Sequence, residues 1–171
     1  MKKRVFLTSI ITIAVLVVSC ILLLIPGQFA TIKGQGYNGY EIIFRFSNID
    51  GVNYLEKNNV GSHASVAGIL GLVFILLALT ALIASFKSAV LPIIGGVLTL
   101  LAGAMFMSMN LTINVVYNGH GSLNFVPYLI GGLLLFFGAA LIILGAFNIK
   151  EQTKIINSKK EYSYLKSNKQ K

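Results

Sequence analysis

The sequence predicts an all-α membrane protein: a four-transmembrane-helix bundle with a small β-rich extracytoplasmic cap formed by the two outer loops. Three observations predict this fold class. The 171-residue chain is 56% hydrophobic and only 11% charged, whereas soluble domains carry about 25% charged residues. Its apolar residues are concentrated in four long uncharged runs. Its basic residues cluster outside these runs, mostly near the two termini.

The four uncharged runs are each just over 20 residues long. A helix of that length, at about 1.5 Å per residue, crosses the roughly 30 Å hydrocarbon core of a bilayer. Lipid offers the backbone no hydrogen-bond partners, so each run is expected to be helical. The predicted helices cover about residues 5–25, 64–86, 89–109 and 126–147. They make a transmembrane domain over residues 1–147, followed by a basic cytoplasmic tail over residues 148–171.

Basic residues set the predicted orientation. Three precede the first run, one lies in the tight turn between the second and third runs, and seven follow the fourth, which makes eleven of the fourteen. An excess of Lys and Arg marks the cytoplasmic side. We therefore predict a multi-pass protein of the cell membrane with both termini in the cytoplasm. The residues expected to determine this topology are Lys2, Lys3, Arg4, Lys87, Lys150 and Lys154.

The first run leaves two interpretations of the N-terminus open. Basic residues followed by an apolar stretch that ends at Cys20 resemble a bacterial lipoprotein signal, in which Cys20 is lipidated and the first helix removed. However, residues 21–25 continue the apolar run past the cysteine, whereas a cleaved signal has a short apolar region and then turns polar. We favour an uncleaved first helix.

Two outer loops, residues 26–63 and 110–125, are expected to form the cap. Residues 40–46 alternate apolar and polar side chains, which predicts a half-buried strand. Residues 111–117 are β-prone, and Asn118-Gly119 is a hairpin-turn signal. Weaker strand candidates lie at residues 29–33 and 52–55, and residues 122–125 are expected to return into the fourth helix. One small sheet built from both loops would satisfy their backbone groups.

Small residues recur every seven positions along three of the runs. Because lipid provides little hydrophobic drive between helices, such stripes are typical of close helix packing. The predicted helix-packing residues are Gly71, Ala78, Ser85, Gly96, Gly103, Gly131, Gly138 and Gly145. The first run has no glycine, so we expect it to pack more peripherally.

The sequence contains no recognisable catalytic or cofactor motif. No Asp, Glu, Lys, Arg or His lies within a run, which argues against a proton-coupled transporter, since ionisable residues normally mark such paths. Outside the runs, the spacing of the candidate groups fits no metal motif; these groups are His63, His120, Glu41, Asp50 and Glu56. We predict no catalytic residue, cofactor or metal. The single cysteine excludes an intrachain disulfide.

The order of elements resembles the claudin-type architecture: helix, long strand-bearing outer loop, helix, tight inner turn, helix, shorter outer loop, helix. Claudin-like proteins carry a tryptophan motif and a cysteine pair in the first outer loop, whereas this chain has no tryptophan and one cysteine. The resemblance therefore implies a topology, and no function or functional residue follows from it.

Three function classes remain open. The leading hypothesis is a non-enzymatic membrane protein that acts by helix packing or outer-loop contacts, in a structural, interaction or accessory role. The alternative is a transport component, either a pore between protomers or an accessory subunit, and a membrane enzyme ranks third. Expected partners are the lipid bilayer, anionic lipids through the lysine-rich tail, and a second copy or another membrane protein. The net charge of +9 is confined to a few segments, so no nucleic acid is expected. A merely orienting, solvated tail is the simpler interpretation.

Overall fold

The computed structural model describes residues 3–32, 34–44, 65–85, 88, 90–116 and 121–168. In chain order its elements are α1 (Lys3–Leu22), β1 (Ala30–Ile32), β2 (Gln35–Tyr37), α2 (Gly39–Phe44), α3 (Val66–Ala84), α4 (Leu91–Val116), β3 (Gly121–Leu123) and α5 (Phe125–Asn168). Four helices, α1, α3, α4 and α5, are long and apolar enough to cross a membrane. The prediction of four apolar spanning helices and a small sheet is confirmed at this level.

The interior of the bundle is apolar. Side chains with no exposed surface come from all four long helices, among them Leu16, Ile75, Phe106 and Leu134. Many large apolar side chains also lie on the outer surface, such as Leu76, which is 62% exposed. An outer surface this apolar suits lipid, because a monomeric soluble protein rarely exposes large contiguous apolar patches.

Strands from both loops form one three-stranded sheet. Its order is β2-β1-β3, and β1 pairs antiparallel with both neighbours. Thr31 at the centre of β1 lies opposite Gly36 of β2 and Ser122 of β3. The predicted joint sheet is therefore present, although its strands are three residues each and lie only partly where predicted. The weak candidate at residues 29–33 contains β1.

The strand predicted at residues 40–46 is wrong over the residues described, because Gly39–Phe44 forms the helix α2. A reciprocal cap explains this outcome. The Glu41 backbone N–H donates to Asn38 Oδ1 at 2.9 Å, and the Asn38 N–H donates to a Glu41 carboxylate oxygen at 2.9 Å. This is a capping box, which satisfies two donors of the first helical turn. Ile42 and Ile43 are both buried, an adjacency that an alternating strand does not give.

The strand predicted at residues 111–117 is also wrong, because α4 continues to Val116. Met109 and Ile113, four residues apart, are fully buried, whereas Leu111 and Val115 are 72% and 77% exposed. This is the burial period of a helix face. Residues 121–123 form β3 ahead of α5, where the sequence predicted only a return into the helix. Asn118-Gly119, residues 45–46 and residues 52–55 lie outside the described residues.

The sheet and α2 cover one end of the bundle, which we call the cap end. Phe29, just before β1, packs edge-on against Phe106 of α4, with ring centroids 6.5 Å apart. At the opposite end, which we call the terminal end, α1 begins and α5 leaves the bundle. The side chains of residues 151–158 are all exposed, so α5 projects beyond the other helices there. It crosses the predicted domain boundary at residue 147 without a break.

Candidate functional site

The backbones of α4 and α5 approach each other closely at Gly96 and Gly138. A Cβ added to Gly96 would lie 2.8 Å from the carbonyl oxygen of Gly138, and one added to Gly138 would lie 2.8 Å from that of Gly96. These distances are shorter than any side-chain carbon tolerates. Glycine is therefore required on both helices for the backbones to approach this far.

The close contact between α4 and α5, which we call the glycine seam, continues toward both ends of the bundle. Toward the cap end, a Cβ on Gly103 would meet the Gly131 carbonyl oxygen at 2.9 Å, and the reciprocal distance is 3.2 Å. Toward the terminal end, a Cβ on Gly145 would lie 2.6 Å from Ile93 Cγ1. Four of the five predicted packing glycines of these two helices thus face each other in pairs within one chain, and Gly145 faces Ile93.

The other three predicted packing residues belong to α3: Gly71 and Ala78 lie within the helix, and Ser85 is its C-cap. Gly71 lies against the Phe106 ring, with an added Cβ at 3.2 Å from it, and Ala78 is fully buried. The buried Ser85 hydroxyl donates to the Leu82 carbonyl and caps the C-terminus of α3. Two of the three positions thus contribute space, and the third satisfies a helix end.

Gly132 differs from the other α5 glycines because it faces outward. It is exposed, and an added Cβ meets nothing within 4 Å. Tyr128 and Phe136, one turn away on either side along the helix, are 39% and 68% exposed. Together these three residues form a glycine notch flanked by aromatic rings on the outer surface of α5, which we call the Gly132 notch.

Asn124, between β3 and α5, ties the cap together. Its Oδ1 accepts from the Thr31 hydroxyl at 3.0 Å, and its Nδ2 donates to the Gly27 carbonyl at 3.0 Å. Its backbone N–H also donates to the Phe29 carbonyl at 2.9 Å. One residue of the second loop therefore holds three positions of the first loop.

The cap also closes tightly onto the helix ends. The Gly39 N–H donates to the Leu23 carbonyl at 2.8 Å, and a Cβ on Gly39 would lie 2.6 Å from Leu23 Cδ2. Ile43 of α2 packs against Gly68 of α3, and a Cβ added to Gly68 would lie 2.7 Å from Ile43 Cγ1. In the cap, burial first, and the neighbouring Cys20 second, raise the pKa of the Tyr40 hydroxyl.

A cleft of about 430 Å³ lies at the terminal end, between the start of α1 and α5. Its lining residues are Lys3, Arg4, Val5, Leu144, Phe147, Asn148 and Glu151. Asn148 is only 2% exposed, and neither its Nδ2 nor its Oδ1 has a hydrogen-bond partner among the described residues. A buried polar group left without a partner costs about 1–3 kcal/mol.

This amide is the exception among the buried polar side chains that the structure describes. The hydroxyls of Ser9 and Ser19 each donate to a carbonyl one turn earlier at 2.8 Å, and that of Thr99 donates to the Gly95 carbonyl at 2.7 Å. Ser65 accepts from the Gly68 N–H at the start of α3. Asn148 therefore marks the place in the bundle where a polar partner is missing.

The predicted topology residues that the structure describes all lie at the terminal end. Lys3 and Arg4 are exposed in the first turn of α1, and Lys150 and Lys154 are exposed on α5 beyond the bundle. Lys2 and Lys87 lie outside the described residues. The structure thus brings two separate parts of the basic sequence to one end of the molecule.

Most of the titratable residues that the sequence offered as possible catalytic or metal-binding groups lie outside the described residues. His63, His120, Asp50 and Glu56 lie outside the described residues, and Glu41 serves as the helix cap of α2. Across the parts of the chain that are described, no group of three or more His, Cys, Asp or Glu could hold a metal ion.

Sequence reasoning missed the capping box, the Asn124 bridge and the Asn148 cleft. The Asn-x-x-Glu spacing at residues 38–41 was a readable signal for the first. For the other two no local signal exists, since each depends on segments far apart in sequence. Comparison of the chain with protein-family models, curated proteins and solved structures finds no match.

Proposed function

We propose that this chain is a non-enzymatic membrane protein that acts by contact with a second membrane-embedded chain, in a structural, interaction or accessory role. The observation that carries the proposal is the Gly132 notch, where an exposed glycine lies between two exposed aromatic rings and an added Cβ would meet nothing within 4 Å. Close approach of backbones at small residues is how helices associate in lipid. The partner is a second copy of this chain or a helix of another membrane protein.

The closed interior supports this proposal over transport through a single protomer. A solute path needs side chains that replace water. The described interior is apolar, and its hydroxyls are bonded to carbonyls of their own helices. We therefore assign the function to contact surfaces on the outside of the bundle.

The glycine seam between α4 and α5 narrows the choice of surface. Gly96, Gly103, Gly131 and Gly138 are all buried within the chain, so a partner helix cannot use them without opening the bundle. We infer that the contact surfaces are the outer face of α5 around Gly132 and the cap. Ser122 of β3 is exposed on the cap.

The basic residues at the terminal end indicate how the chain is oriented in the membrane. We infer a place in the cell membrane with the cap outside and the basic terminal end in the cytoplasm, since basic residues favour that side. The tail then lies next to the cytoplasmic leaflet, where each lysine adds about 1 kcal/mol of attraction to anionic lipid.

Cysteine crosslinking in isolated native membranes tests the contact surfaces. In a Cys20→Ser background, Phe136→Cys reports on the notch and Ser122→Cys on the cap. Leu76→Cys is the matched control, because Leu76 is 62% exposed on α3 away from both surfaces. A bismaleimide is expected to join Phe136→Cys or Ser122→Cys to a neighbour and to leave Leu76→Cys as a single chain.

Three monomeric variants, together with a monomeric wild-type protein in mild detergent, would contradict the proposal. A transport component is distinguished separately by ion flux into liposomes that contain the purified protein. Flux above that of empty liposomes would favour the pore between protomers, which the contact proposal does not require.

A further inference from the structure

The cleft at the terminal end has an apolar side and a polar side. Val5, Leu144 and Phe147 make an apolar side, whereas the remaining lining residues, Lys3, Arg4, Asn148 and Glu151, are polar or charged. Asn148 directly follows the apolar part of α5, so in the membrane orientation proposed above, on which this inference rests, the change lies where the hydrocarbon core gives way to headgroups. A site of this kind fits an amphiphile with a polar head and an apolar tail.

The polar side of the cleft favours an oxygen-rich anion. An ammonium, a guanidinium and an amide N–H all donate hydrogen bonds to phosphate oxygens, and bonds from the charged donors are the stronger ones. The N-terminus of α1, with its partial positive charge, lies at the same place. Glu151 is the one carboxylate among the lining residues.

Asn148 supplies the observation that points to a ligand. Its amide is enclosed beside the cleft with neither donor nor acceptor satisfied by the described residues. Native proteins rarely leave both ends of a buried amide unmet. A bound head that brings acceptor and donor groups would satisfy it.

We propose that this cleft binds the phosphate-bearing headgroup of a membrane phospholipid. Lys3, Arg4 and the Asn148 amide hold the phosphate, while the acyl chains lie along Val5, Leu144 and Phe147. The site differs from the general attraction of the tail lysines for lipid, which needs no fixed geometry, because it joins Asn148 of α5 to Lys3 and Arg4 of α1 in one cleft. It also stands independently of the crosslinking surfaces, which lie elsewhere on the molecule.

Native mass spectrometry of the full chain in detergent, with phosphatidylglycerol or phosphatidylcholine added, tests this site. Arg4→Gln and Asn148→Leu are each expected to lower the amount of retained phosphatidylglycerol about tenfold, as for loss of a charged or fully enclosed hydrogen bond. Lys154→Gln is the matched control, because it removes the same charge from an exposed position that does not line the cleft.

Asn148→Leu separates a built site from general attraction because it leaves the charge unchanged. If Asn148→Leu fails to give folded protein by size exclusion, Asn148→Ala takes its place, since it also leaves the charge unchanged, removes the amide and is expected to give the same loss. Equal losses in Lys154→Gln and Arg4→Gln, or full retention in the Asn148 variants, would overturn the proposal.

The source of the phosphate is tested in the same preparation by thermal unfolding. Phosphatidylglycerol is expected to raise the Tm of the wild-type protein, and this rise is expected to vanish in Arg4→Gln. A rise of equal size with millimolar inorganic phosphate alone would overturn a lipid ligand in favour of a free phosphate compound. Because phosphatidylcholine carries the same phosphate group, its retention by the wild-type protein and its loss in Asn148→Leu would equally support the site.

Discussion

At the scale of the residue, single atoms decide whether α4 and α5 pack. Gly138→Ala places a Cβ 2.8 Å from the Gly96 carbonyl oxygen, so the helices must separate. We expect the free energy of unfolding to fall by about 1–3 kcal/mol, the usual range for overpacking. Reversible unfolding in mixed detergent micelles measures this change.

The control for this substitution is Gly132→Ala on the same helix. An added methyl group meets nothing within 4 Å there, so the isolated chain is expected to be no less stable than the wild type, because alanine favours a helix over glycine by about 0.5–1 kcal/mol. Equal destabilisation by the two variants would show that alanine acts through α5 itself rather than through the contact with α4.

Asn124→Ala removes the two side-chain hydrogen bonds that link the second loop to the first. Each typically contributes about 0.5–1.5 kcal/mol, so we expect the unfolding free energy to fall by about 1–3 kcal/mol. Asn114→Ala, at an exposed position of α4, is the control. The idea fails if the Tm of the two variants in detergent is the same.

At the scale of the element, the first turn of α2 depends on its capping box. Glu41→Ala removes one half of the capping box and is expected to cost about 0.5–2 kcal/mol of local stability. Glu41→Gln keeps an acceptor at the same place and is expected to cost little. Amide hydrogen exchange over residues 39–44 measures the difference; unchanged exchange in Glu41→Ala would contradict the assigned cap.

The length of α5 sets a second expectation at this scale. Its 44 residues rise about 66 Å at 1.5 Å each, roughly twice the hydrocarbon thickness. Ending the chain after residue 154 is expected to leave the Tm of the bundle unchanged, because residues 155–158 are fully outside it. Ending it after residue 144 removes Gly145 and Asn148 and is expected to lower the Tm.

At the scale of the whole molecule, the even number of long helices places both ends of the described chain on the side opposite the cap. We expect epitope tags at either terminus to resist protease in sealed cells, and Ser122→Cys to react with an impermeant maleimide from outside. Digestion of the tags without lysis would reverse the proposed orientation.

The four long helices could be predicted from the sequence, whereas the structure of the segments at their ends could not. Apolar runs identified the four helices because the transfer of a segment from water to lipid depends mainly on its own composition. The ends were less predictable: residues 111–116 are β-prone but continue α4, since Ile113 gains burial there. Residues 40–44 alternate but form α2, since Asn38 and Glu41 satisfy its first turn.

The sequence by itself determined the number of spans, their approximate places and the clustering of basic charge, because these properties add up residue by residue along the chain. Only the tertiary structure decided which glycine faces which helix, that Gly132 faces outward, and that Asn148 lies buried beside Arg4 from the other end of the sequence. The physical reason is that these contacts join segments distant in sequence, and local composition carries no information about which surfaces will meet.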